Sequence, residues 1–284
     1  MNIKEILPFG CLLVASATLA EPLELKDKTV VSDAAWSYQM NAVGDYLNVT
    51  NSSLTATEVT VDIYRVDAFL RKYLPVTIVD SAVMSTTGVI SFPVAQYSDH
   101  TTDVQVVRST VSTAKNLKMG RYSNGWNHEL VRLRAVDSTF TWGGLEVMAG
   151  VDAAFSNCTI VGATASASGT FGRGTAGTLD PSVVTFRDCT ITNWVPGLGG
   201  ATDAATNLCI VAGGTFSVNE FKFGSYSPGR LTLTDGADVR ILPYAQSFGS
   251  LNGKGSELVV ANGAKVRVQR LNNATSGAEV NRTV

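Results

Sequence analysis

Apolar and polar positions along this chain fall into a six-residue phrase that recurs down its first two thirds. The phrase reads apolar, any residue, Asn or Asp, Ser or Cys, small, apolar. Copies begin at Val49 (VTNSSL), Ile78 (IVDSAV), Val106 (VVRSTV), Ala135 (AVDSTF), Phe155 (FSNCTI) and Phe186 (FRDCTI). The third position holds Asn51, Asp80, Arg108, Asp137, Asn157 and Asp188, so the copies lie 29, 28, 29, 20 and 31 residues apart. Self-similarity at such a period predicts stacked supersecondary units, none of which can bury its apolar face without its neighbours.

The phrase reads as a corner between two short strands. Before it, apolar residues alternate, as at Val104 and Val106 or Val184 and Phe186, which is the pattern of one buried strand face. After it the buried parity shifts by one, so that Ser52, Ser81, Ser109, Ser138, Cys158 and Cys189 point inward. One residue in the left-handed region produces that shift, and Asn and Asp enter this region more readily than other non-glycine residues. Arg108 is the exception among the six. Coils stacked about 4.8 Å apart then predict an outer ladder of Asn51, Asp80, Asp137, Asn157 and Asp188 beside an inner ladder of Ser and Cys.

A second phrase takes over towards the C-terminus: LEVMAGVDAAF from Leu145, LCIVAGGTFSV from Leu208, LTLTDGADVRI from Leu231 and LVVANGAKVRV from Leu258. Its glycines, Gly150, Gly213, Gly236 and Gly263, suit positive φ. Both phrases fall within one unit between residues 145 and 160, which suggests two corners of one coil. Six Asn/Asp corners followed by three at Gly213, Gly236 and Gly263 give an expected count of nine coils.

Strands of four to six residues with short turns and no helical periodicity predict an all-β, single-stranded parallel β-helix over residues 46–270. In NCTI (157–160), DCTI (188–191) and the GAxV segments beginning at Gly236 and Gly263, the chain resembles the right-handed parallel β-helix, or pectin-lyase-like, superfamily. The later glycine phrase is closest in flavour to bacterial surface and autotransporter-type repeats. The resemblance spans roughly residues 45–270. It implies a fold but no activity, because polysaccharide lyases, hydrolases, phage tailspikes and adhesins share that architecture.

Residues 1–20 read as a signal peptide, with Lys4, an apolar stretch from Ile6 to Ala17 and small residues at Ala15, Ala17 and Ala20. Cys11 does not fit a lipidation site, since the apolar run continues past it. Residues 21–45 read as an N-terminal cap or first irregular coil containing Trp36, and residues 271–284 as a polar tail. Charged residues make up only 16%, the formal net charge is −2, and no basic patch points to nucleic acid. No stretch after the signal approaches the ~20 apolar residues of a membrane span. Cys158 and Cys189 occupy equivalent places on adjacent coils, within reach of a disulfide, but they replace serines and read better as small buried side chains.

Candidate chemistry is sparse. Asp99, His100 and Asp103 form one polar cluster, and His128, Glu129, Arg132 and Arg134 another. A solvated loop and a charged strand face account for both, so no catalytic residue is assigned. Asp80, Asp137 and Asp188 invite a metal assignment, yet Asn replaces Asp at the same position, which favours turn formation. No metal or other cofactor is implied. Gly120–Glu129 (GRYSNGWNHE) sets Tyr122 and Trp126 beside Asn127 and His128, combining flat apolar faces with hydrogen-bonding groups suited to sugar. The connections from Gly162 to Pro181 and from Pro196 to Asn207 are rich in Gly, Ala and Thr and read as loops.

The expectation is therefore a secreted or cell-surface scaffold or adhesin-like protein that contacts polysaccharide or other surface molecules. A polysaccharide lyase or glycoside hydrolase of the same fold is one alternative. A phage tailspike or fibre component is another.

Overall fold

The computed structural model describes residues 22–40, 44–63, 73–92, 101–120, 130–148, 150–164, 168–173, 181–194, 196–198, 207–218, 221–223, 229–241, 248–251, 257–268 and 282–283. The chain is an all-β parallel β-solenoid, with about six turns built on the Asn/Asp corner. Among the described residues three parallel sheets run along it, containing 11, 10 and 9 strands. Each turn visits them in the same order. One such turn comprises Leu130–Val136 in the first sheet, Thr139–Trp142 in the second and Gly144–Met148 in the third.

Register between turns is fixed by alternation. In the first sheet, Val49, Ile78, Val106, Ala135, Phe155 and Phe186 are directly stacked and buried. Leu54, Val83, Val111, Phe140, Ile160 and Ile191 form the equivalent row of the second sheet. A slip of one residue would turn every one of these side chains to water, which is why each strand has a single stable pairing. The 20-residue spacing between Asp137 and Asn157 also has a simple cause. The third-sheet strand ending at Met148 leads almost directly into the first-sheet strand starting at Val151, without the inserted connection of other turns.

The core in the middle of the solenoid contains an aromatic cluster. Phe155 stacks on Phe186 with ring centroids 5.1 Å apart, while Trp142 and Trp194 meet edge to face at 5.4 Å. Phe140 and Phe216 close the two ends of this cluster. Ala135, stacked directly against Phe155 in the first sheet, and Ala153, two residues before Phe155 on its own strand, are small buried neighbours of these rings.

The grouping of Gly150 with the later glycines does not hold. Gly213 follows Ala212, which pairs with Arg187, so Gly213 occupies the place of Asp188 at the corner between the first and second sheets. Gly150, at φ 77°, instead precedes a first-sheet strand. Both places demand positive φ, and a glycine reports that demand without saying which corner it serves. Asp235-Gly236 and Asn262-Gly263 each place two consecutive residues at positive φ, with Ala237 N–H donating to Thr234 C=O and Ala264 N–H to Ala261 C=O. These are tight turns of the type favoured by Asp-Gly and Asn-Gly.

Candidate functional site

The corner residues carry two ladders, one facing solvent and one facing the core. Asn51, Asp80, Arg108, Asp137, Asn157 and Asp188 all have φ between 46° and 52°. Arg108 is thus no exception in backbone conformation, although its side chain lacks the short local hydrogen bonding that helps Asn and Asp there. The sequence pattern omitted Asp27, Asp235 and Asn262, which adopt φ of 54°, 54° and 49°.

With these included, the outer ladder alternates. Asp27, Asp80, Asp137 and Asp235 are acceptors, and each is followed one turn later by a donor. Asn51 Nδ2 donates to Asp27 at 2.6 Å, and Asn157 Nδ2 to Asp137 at 2.6 Å. Arg108 grips Asp80 through both Nε and Nη2, at 2.7 and 2.8 Å. Asn262 Nδ2 reaches Asp235 at 3.4 Å. Carboxylates one turn apart would repel at about 4.8 Å; interleaving donors doubles that separation and satisfies the oxygens. At Asp188 the next turn supplies Gly213 instead, and the Asp188 carboxylate occupies the space where a Cβ on Gly213 would sit.

The first four rungs border an open groove of about 670 Å³, lined by Asp27, Lys28, Asn51, Asp80 and Arg108. The Arg108 hydrogen bond holds the Asp80 carboxyl below the usual carboxylate range. Near the other end of the solenoid, Asp238 is held low first by Arg240 and then by Arg267, at 3.0 and 2.8 Å.

The inner ladder does a different job. At each corner one backbone N–H leaves the sheet pattern and points inward. Ser52 N–H donates to Ser81 Oγ at 3.0 Å, Ser81 N–H to Ser109 Oγ at 3.0 Å, and Ser109 N–H to Ser138 Oγ at 3.1 Å. Lys28 N–H begins the series on Ser52 Oγ at 2.9 Å. Each hydroxyl in turn lies 2.6–2.8 Å from the carbonyl two residues before it. Cys158 and Cys189 continue the column as free, buried thiols, like Cys209. The Cys158 thiol donates towards the Ser156 carbonyl and the Cys189 thiol towards those of Arg187 and Phe155, at 3.3–3.4 Å. The side-chain interaction between the two thiols pushes the Cys189 thiol up and the Cys158 thiol down, and burial alone raises Cys209.

The two polar clusters seen in the sequence meet, in part, on the first sheet. Asp103 pairs in register with Arg132, and Arg132 with Asp152. Arg134 forms an ion pair with Asp152 at 2.5 Å. Asp103 is buried, and Asp103 Oδ1 and Arg132 Nε have no hydrogen-bond partner among the described residues. Asp99, His100, His128 and Glu129 lie outside the described residues, as do Tyr122, Trp126 and Asn127. The signal segment 1–20 does too. Among the described residues no group of three His, Cys, Asp or Glu side chains is placed to hold a metal, and no helix is long and apolar enough to cross a membrane.

Fold and ladders thus define a parallel β-solenoid with satisfied corner columns. No family model, curated protein or solved structure matches the chain.

Proposed function

We propose that this protein is an exported, surface-exposed β-solenoid of the right-handed pectin-lyase-like type, with nine coils, acting as a scaffold or adhesin-like display protein that contacts glycans. The observation that carries the reading is the stacking of the strands that bracket its connections. Third-sheet strands ending at Ile63, Phe92 and Met119 are joined to first-sheet strands starting at Tyr73, Thr101 and Leu130, and these strands are in register from turn to turn. In sequence, Tyr122, Trp126, Asn127 and His128 fall between Met119, which ends a third-sheet strand, and Leu130, which begins the first-sheet strand that carries Arg132. The flat rings and amide and imidazole groups of that sequence suit a sugar, which offers apolar ring faces and paired hydroxyls, and Asp103 and Arg132 on the first sheet offer a carboxylate and a guanidinium with spare hydrogen-bonding capacity.

A glycan array probed with the purified chain and with Trp126→Ala tests the contact. Selective binding that the variant loses supports it; equal signals from the two proteins refute it. Partnerless polar atoms on Asp103 and Arg132 also favour a second reading, cleavage of a polysaccharide on the first sheet. Incubation with acidic and neutral polysaccharides, read for new reducing ends or unsaturated products and repeated with Asp103→Asn, separates cleavage from binding. Sequencing the N-terminus of secreted protein tests export, which predicts a start at Glu21.

A further inference from the structure

The outward face of the second sheet is unlike the other two. Thr110, Thr139, Thr159, Thr190 and Thr215 are stacked in one column, each directly paired with the next. Two residues further along the same strands, Ser112, Thr141, Val161, Thr192 and Ser217 form a parallel column. Ser53 and Thr55 extend both columns towards the N-terminus through Ala82 and Met84. From Ser53 to Ser217 neither column contains a charged residue, although the outward faces of the other sheets carry Arg134 and Asp152, or Lys118 and Glu146. Register shifts interrupt the third sheet, at Val147/Met148 and at Phe221/Phe223, and none interrupts the second among the described residues. These threonine hydroxyls have no hydrogen-bond partner among the described residues, whereas the inward-facing Thr113 is bonded to Gly88.

We propose that this face binds ice. Strand spacing sets one repeat of the hydroxyl array at about 4.8 Å, and the two-residue rise sets the perpendicular repeat at about 6.7 Å. Oxygens on a prism face of hexagonal ice repeat at comparable intervals in two perpendicular directions. A flat array of hydroxyls at such intervals meets many lattice positions at once, each weak and all in phase. Threonine is suited to this because its branched Cβ restricts χ1, so little rotamer freedom is lost on binding, and its methyl group lies beside each hydroxyl. Charged side chains would order water around themselves in a different geometry; within the two columns they occur only at the C-terminal end, at Asp238, Lys265, Arg240 and Arg267, while the corner column with Asp80, Arg108, Asp137 and Asp188 borders the array along one edge. A soluble sugar is the poorer fit, since the columns contain no aromatic ring to cover an apolar sugar face. The inference does not rest on the glycan reading, whose residues belong to a connection between the third and first sheets.

The test is freezing-point hysteresis and ice-crystal shaping by the purified chain, together with Thr159→Lys, Thr139→Lys and the first-sheet control Thr185→Lys. Circular dichroism and melting establish that each variant is folded. A gap between melting and freezing points, with faceted crystals, is expected for the parent and for Thr185→Lys, and its loss for Thr159→Lys and Thr139→Lys. No hysteresis in the parent beyond a serum-albumin control would overturn the proposal. So would equal activity in all four proteins, or self-association in sedimentation that Thr159→Lys abolishes while hysteresis persists.

Discussion

Replacing Ser109 by Ala removes one oxygen from the inner ladder and tests the role assigned to it. Ser109 Oγ accepts the Ser81 N–H at 3.0 Å and lies 2.8 Å from the Val107 carbonyl. That carbonyl also receives the Asp80 N–H at 3.1 Å, so it remains satisfied after the change. The Ser81 N–H does not. It is left buried without an acceptor, which costs about 1–3 kcal/mol, and the lost hydroxyl is too small to leave a cavity of consequence. At about 1.4 kcal/mol per factor of ten, the opening that exposes the Ser81 amide should become on the order of 5- to 150-fold more frequent. Hydrogen exchange is the appropriate assay, because a solenoid opens locally and a single melting temperature averages over its turns. Ser109→Cys supplies the control. Sulfur is a weaker acceptor, as already used at Cys158 and Cys189, so its effect should fall between parent and Ala. Unchanged protection of the Ser81 amide in Ser109→Ala would refute the argument.

Four further outcomes are expected. Phe186→Ala opens space between Phe155, Trp194 and Phe216 and should cost about 3–5 kcal/mol in urea denaturation followed by tryptophan fluorescence. In an NMR titration, the Asp80 and Asp238 carboxyls should have midpoints below the ordinary value of about 3.9, and Arg108→Ala should return Asp80 towards it. Because these folded-state values are depressed, the stability the pairs contribute is present above the unfolded midpoint and fades as pH falls through the folded one. Arg108→Asn should preserve or raise the melting temperature, whereas Arg108→Val should lower it, since a β-branched residue is strained at φ 46°. Finally, Cys158, Cys189 and Cys209 should be unreactive towards a thiol reagent in the folded chain and titrate fully after denaturation.

The corner positions were legible in the sequence because positive φ is a local demand, and Asn, Asp and Gly answer it within a few residues of chain. Inward serines were legible for the same reason: the parity of burial before and after a corner can be counted along one strand. What sequence order could not supply is which residues become neighbours on adjacent turns. Spacings range from 20 to 31 residues, so Asp27, Asp235 and Asn262 fall outside any fixed period, and the Asp-then-donor alternation appears only once the turns are stacked. The same is true of Asp103 against Arg132, and of the threonine columns, whose members are adjacent in space but separated by whole turns of chain. Burial between turns decides that register, because a slip of one residue would turn the apolar rows to water.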